Sequence, residues 1–193
     1  MDRSPSKAIL CQAAFALGLI ALCVIGRVVP HAWNATPVMA ISLFSAWLFP
    51  RLWMGMSVPM LGMLISNAII GTYDPYLMAS VYGCFLLPFA LRGLLRKRRD
   101  ALTLVASALG ASTAFFLITN AAVWLVSPAY PSGVGGLLMS LEAGLPFYRT
   151  AMQADVLWVV FFFTAYSWSA DRAGARLRSV FAPAQARESE AAA

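Results

Sequence analysis

From Ala8 to Gly26 the chain carries no charged side chain, and comparable apolar runs recur as far as Ser169. A helix crosses the hydrocarbon core of a bilayer with about 20 apolar residues, so run length constrains this fold more than any motif does. Hydrophobic residues make up 61% of the 193 positions and charged residues 11%. A soluble domain is nearer half apolar and about a quarter charged. The surplus apolar surface has to face lipid.

The runs predict six spans, at about Ala8–Val28, Thr36–Phe49, Met54–Ile70, Tyr76–Leu95, Ala101–Val126 and Asp155–Ser169. Pro37 sits in the first turn of the second span and Pro50 closes it. The run "RKRRD" stops the fourth. The first span exceeds the roughly 7–15 residues of a signal-peptide core and shows no small-x-small cleavage site, so it reads as retained. The expected fold is therefore all-α: one six-helix transmembrane bundle over residues 1–178. A small, polar tail over 179–193 is expected to be disordered and cytoplasmic.

Charge sets the orientation. With both termini in the cytoplasm, all but two of the 14 basic residues fall on the inner side. The exceptions are Arg27 and Arg149. This is the bias that the positive-inside rule describes. The net charge of +6 then reads as topogenic, and no nucleic-acid partner is expected.

The polar residues gather toward the outer side. His31 and Asn34 fall in the loop after the first span, within "RVVPHAWNATP". Asn67 lies in the outer half of the third span, and Asp74 in the loop that follows it. Asn120 and Trp124 lie one turn apart in the outer half of the fifth span. Tyr130, Glu142 and Arg149 belong to "SPAYPSGVGGLLMSLEAGLPFYRT", which reads as a long outer loop with a short amphipathic piece at Gly136–Ala143. Intramembrane polar groups are costly and mark binding sites or pathways. The set points to a pocket that opens outward under a loop lid. The competing reading is that Asn67 and Asn120 hydrogen-bond neighbouring helices.

Three cysteines give no paired framework. Cys11 and Cys23 are about 18 Å apart along one helix, too far for a disulfide. Cys84, next to Tyr82 in "SVYGCFLLP", lies about 12 Å below the outer end of the fourth span. No catalytic or nucleotide-binding motif is present. A site built from protein ligands alone needs about four nitrogen or sulfur donors, which His31 and Cys84 do not supply. A single thiol suits a ligand that brings its own metal and most of its own donors.

Four blocks carry a resemblance: "RVVPHAWNATPVMAISLF", "SNAIIGTYDPYLMASVYGCF", "FFLITNAAVWLVSPAYP" and "GLPFYRTAMQADVLW". They resemble the S-components of ECF vitamin transporters, and within that neighbourhood the BtuM-type cobalamin transporters, solitary S-component-like proteins of Gram-negative bacteria. The shared patterns are Arg-x-x-Pro-His-x-x-Asn-x-Thr-Pro from Arg27, Phe-x-x-x-Asn-x-x-x-Trp from Phe116, and Pro146-Phe147. One departure is Asn67, where the pattern carries an aspartate.

The resemblance implies a vitamin-uptake protein of the bacterial inner membrane that binds cobalamin (vitamin B12). It implies that Cys84 is the axial cobalt ligand and can displace cyanide, which is the one catalytic role expected. Soft thiolates suit soft metal centres, and the corrin ring supplies the equatorial donors. His31, Asn34, Asn67, Asp74, Tyr82, Asn120, Trp124, Tyr130 and Arg149 are then the expected ligand-binding residues. With no nucleotide-binding loop, the chain is expected to act alone or to borrow an ECF energising module, which would dock on Ala14-x-x-x-Gly18 of the first span. Two other readings stand beside this one. In the first, the fold carries another vitamin or small solute. In the second, a membrane enzyme uses Cys84 as a thiol nucleophile.

Overall fold

The computed structural model describes residues 5–30 and 35–173. The helices are α1 (Pro5–Val28), α2 (Val38–Leu48), α3 (Leu52–Ile70), α4 (Pro75–Leu86), α5 (Arg92–Lys97), α6 (Ala101–Val126) and α7 (Val134–Ala173), with a 3₁₀ turn at Leu87–Leu91 between α4 and α5. No strand occurs among the described residues. Four stretches, Ala8–Val28, Leu52–Ile70, Pro75–Lys97 and Ala101–Val126, are long and apolar enough to cross a membrane. The chain thus has the architecture of a multi-pass membrane protein. The expected disordered tail lies outside the described residues.

The second expected span becomes a short central helix. The 11 residues of α2 rise only about 16 Å, roughly half of the hydrocarbon core. All but Trp47 are buried. A helix apolar on every side belongs inside a bundle, and α2 packs against α3, α6, α7 and the 3₁₀ turn. Phe44 of α2 stacks on Phe162 at 5.5 Å and meets Phe163 edge-on at 5.3 Å. Trp47 packs on Phe163 and Tyr166. Each such pair adds about 0.5–1.5 kcal/mol beyond the area it buries.

The buried end of α2 needs partners for its carbonyls. Two arginines supply them. Arg92 donates to the carbonyls of Ala46 (3.3 Å) and Pro50 (2.6 Å). Arg96 donates to those of Trp47 (3.3 Å) and Phe49 (2.8 Å). Their positive charge also suits the negative end of the helix dipole. Arg99 lies over the Trp47 ring at 5.3 Å. Part of the basic boundary is therefore structural as well as topogenic.

Pro88 explains the break after α4. It has no N–H to give to the carbonyl four residues back, Cys84. The N–H of Leu87 bonds that carbonyl instead, and the tightened spacing starts the 3₁₀ turn.

The largest correction concerns the expected outer loop. Residues 127–133 alone connect α6 to α7, and α7 runs unbroken for 40 residues through the stretch read as a loop. Two of the glycines that mark a loop in sequence, Gly136 and Gly144, serve close packing here. Phe116 of α6 stacks on Tyr148 of α7 at 4.6 Å. The Tyr148 hydroxyl shares a 2.8 Å hydrogen bond with Thr113. Ser140 donates to the Asn120 carbonyl at 2.9 Å. Gly144 leaves room for Asn120, since a Cβ there would overlap the amide. The stretch expected as a loop lid is part of α7.

Candidate functional site

The polar residues that the fold brings together lie where α1, α3 and α4 meet, at the end of the bundle opposite the basic cluster. Arg27, in the last turn of α1, donates to the Met63 sulfur at 2.6 Å and to Oδ1 of Asn67 at 2.9 Å. Asn67, 2% exposed, donates in turn from Nδ2 to the Tyr82 hydroxyl at 3.1 Å. A buried amide with both ends bonded makes a rigid junction. Close approach of α1 to α3 is set lower down, where Gly62 leaves space for Cys23. Tyr73 borders the cluster from the α3–α4 connection. Burial pushes its phenol above the usual value, while the Arg27 charge pulls the other way. An anion or a row of carboxamides is the chemistry that this cationic, donor-rich corner suits.

Arg27 is the site residue that sequence reasoning missed. Its signal was available: it is a lone arginine at the outer end of a span, against the charge bias. Tyr82 and Asn67 were both expected and are joined directly. Asp74 caps α4, accepting from the N–H groups of Tyr76 (2.9 Å) and Leu77 (3.0 Å). That is the ordinary work of an N-cap carboxylate.

Cys84 is a free thiol, 1% exposed, in the last turn of α4. It follows Tyr82 by two positions, which places the two side chains about 200° apart around the helix. The thiol therefore does not share the face that carries the Arg27–Asn67–Tyr82 cluster. Among the described residues, no three of His, Cys, Asp and Glu come together.

Asn120 and Trp124 direct their polar atoms into the α6–α7 hairpin. The Asn120 amide donates to the Phe116 carbonyl at 2.8 Å, and the Trp124 indole to the Pro131 carbonyl at 3.0 Å. Those two bonds stay within α6 and its connection; the Phe-x-x-x-Asn-x-x-x-Trp pattern zips α6 to α7 by packing, Phe116 on Tyr148 and the Asn120 amide on Gly144. Tyr130 lies half-buried in the α6–α7 connection, and Arg149 is exposed on α7. Neither joins the Arg27 cluster. His31 and Asn34 lie outside the described residues.

Asp155 was read as the outer start of the last span. Because α7 begins at Val134, it sits mid-helix instead, 5% exposed, accepting a 2.5 Å hydrogen bond from Ser112 of α6. A cavity of about 520 Å³ lies at the basic end, between the 3₁₀ turn, α5 and α6. It is not the outward-opening pocket that the sequence suggested.

No curated protein and no solved structure matches the chain. One family does match, over residues 7–178, and the chain belongs to it: DUF6580, a family of unknown function.

Proposed function

We propose that this protein is a multi-pass, S-component-like uptake protein of the bacterial inner membrane that binds cobalamin from the outer face, with Cys84 as axial cobalt ligand. The observation that carries the reading is the position of Cys84. It is a free thiol buried in the membrane-embedded part of α4, at the junction where the helix changes pitch. One thiol is enough when the substrate brings a metal and its equatorial donors. Cobalt would deprotonate it outright. Displacement of cyanide would then be a ligand exchange, with the thiol proton leaving on the cyanide and no change in oxidation state.

The substrate reaches Cys84 only if α4 parts from its neighbours. The 3₁₀ turn after Cys84 supplies a hinge for that movement. Arg27, with Asn67 and Tyr82, meets the polar rim of the substrate at the outer end. The outward-facing Ala14 and Gly18 of α1 offer the surface on which an energising module would dock.

The separation of Cys84 from the Arg27 cluster favours one further reading, in which the cluster recognises another vitamin or small organic solute and the thiol is a packing residue. Growth rescue distinguishes the two. Expressed in a set of vitamin auxotrophs, the protein rescues the cobalamin-dependent strain at limiting vitamin if the proposal holds. Rescue of a different auxotroph and not of that one overturns it.

A further inference from the structure

The cavity at the basic end is lined on one side by Leu87, Pro88, Leu91 and Leu94 and on the other by α6. Its volume of about 520 Å³ falls in the range of small-molecule sites, about 300–1,000 Å³. It exists because Pro88 forces the 3₁₀ turn and α6 answers with small side chains. Ala106, Gly110 and Ala114 line it at four-residue spacing, and a Cβ on Gly110 would meet nothing within 4 Å.

The lining is apolar apart from Thr103 and Ser107. Thr103 is already bonded to Asp100. Ser107 is 5% exposed, and its hydroxyl has no hydrogen-bond partner among the described residues. It is left for whatever fills the groove.

Depth identifies that occupant. The 26 residues of α6 rise about 39 Å, close to the full bilayer with its headgroup layers, about 40–45 Å. Ser107 lies about 9 Å along α6 from its first residue, where the interfacial layer gives way to hydrocarbon. Glycerol ester carbonyls sit at that level. Lys97 ends α5 three positions after Leu94, Arg98 follows it as the extended C-cap, and both are exposed beside the groove's Leu94 wall. Arg99 is held over Trp47, and Asp100 offsets one positive charge by capping α6. The mouth remains net positive.

We propose that this groove is a binding site for one anionic glycerophospholipid of the leaflet at the basic end of the bundle. An acyl chain lies between Leu91, Leu94 and the Ala106–Gly110–Ala114 stripe. Ser107 donates to an ester carbonyl, and Lys97 and Arg98 meet the phosphate. Basic pockets between helices on the cytoplasmic side suit such headgroups. The inference is independent of the cobalamin reading.

The test uses the full chain in detergent with phosphatidylglycerol or phosphatidylcholine of identical chains, and measures retained lipid by native mass spectrometry. Wild type retains one phosphatidylglycerol in preference to phosphatidylcholine. Lys97→Ala with Arg98→Ala weakens phosphatidylglycerol binding about 30-fold. Gly110→Phe fills the groove and removes binding of both lipids. Equal retention of the two lipids by wild type overturns the proposal. So does undiminished phosphatidylglycerol in either variant, or a dimer of the chain that Gly110→Phe dissociates. Should Gly110→Phe fail to fold, the exposed Lys97 and Arg98 pair decides alone.

Discussion

Arg27 and Asn67 bind each other across the α1–α3 crossing, guanidinium to amide oxygen, at 2.9 Å. The amide oxygen is buried, so losing its donor is costly. Arg27→Ala leaves that acceptor unpaired and lowers stability by about 1–3 kcal/mol, read as a drop in thermal unfolding temperature in detergent. Asn67→Asp keeps an acceptor for Arg27 and reverses the Tyr82 bond, the hydroxyl now donating to the carboxylate, so it unfolds near wild type, whereas Asn67→Leu does not. Equal losses in Asn67→Asp and Asn67→Leu would contradict this account of the junction.

Arg92 and Arg96 distinguish structure from topology. If they served only the inside-positive bias, lysine would replace them freely. Their forked donors instead hold four carbonyls at the end of α2. The double variant Arg92→Lys, Arg96→Lys keeps the charge but loses the fork. It inserts in the same orientation and unfolds at a clearly lower temperature. An unchanged unfolding temperature sinks the idea.

Gly144 and Asn120 mark a close approach of α6 and α7. Gly144→Val pushes on the Asn120 amide and costs about 1–3 kcal/mol, as overpacking does. Gly110→Ala, where space is open, is the control and leaves stability unchanged or slightly raised. Similar losses at both positions would argue against the zip.

Asp100 gives the acid-side dependence. The N–H and hydroxyl of Thr103 both bond its carboxylate and hold its pKa below the usual carboxylate range. A depressed folded-state value means a contribution present above the ordinary carboxyl pKa of about 3.9. That contribution is lost as pH falls through the folded-state value. Asp100→Asn removes this part of the pH dependence. An acid-unfolding profile identical to wild type would contradict the cap.

Much of the fold was legible in the sequence, because charge-free runs and their basic stops report lipid contact directly. The boundaries of α6 match the expected span residue for residue. The hairpin was not legible. Gly and Pro punctuate loops, but Gly144 and Pro146 lie inside α7, where Gly144 makes room for a neighbour. Asn120 and Trp124 looked like pocket residues because polar atoms in a membrane have to find partners. Their partners proved to be backbone carbonyls a turn or a hairpin away. Asn67 and Tyr82 were expected singly, and only the three-dimensional packing shows that Arg27 joins them.

The most direct measurement is the visible spectrum of the purified protein mixed with cyanocobalamin, for wild type and for Cys84→Ala. The account predicts that wild type binds the corrinoid and shifts its absorption bands as sulfur replaces cyanide on cobalt, and that Cys84→Ala abolishes the shift. An unchanged spectrum with wild type, or the same shift with Cys84→Ala, contradicts the assignment of Cys84 as the cobalt ligand.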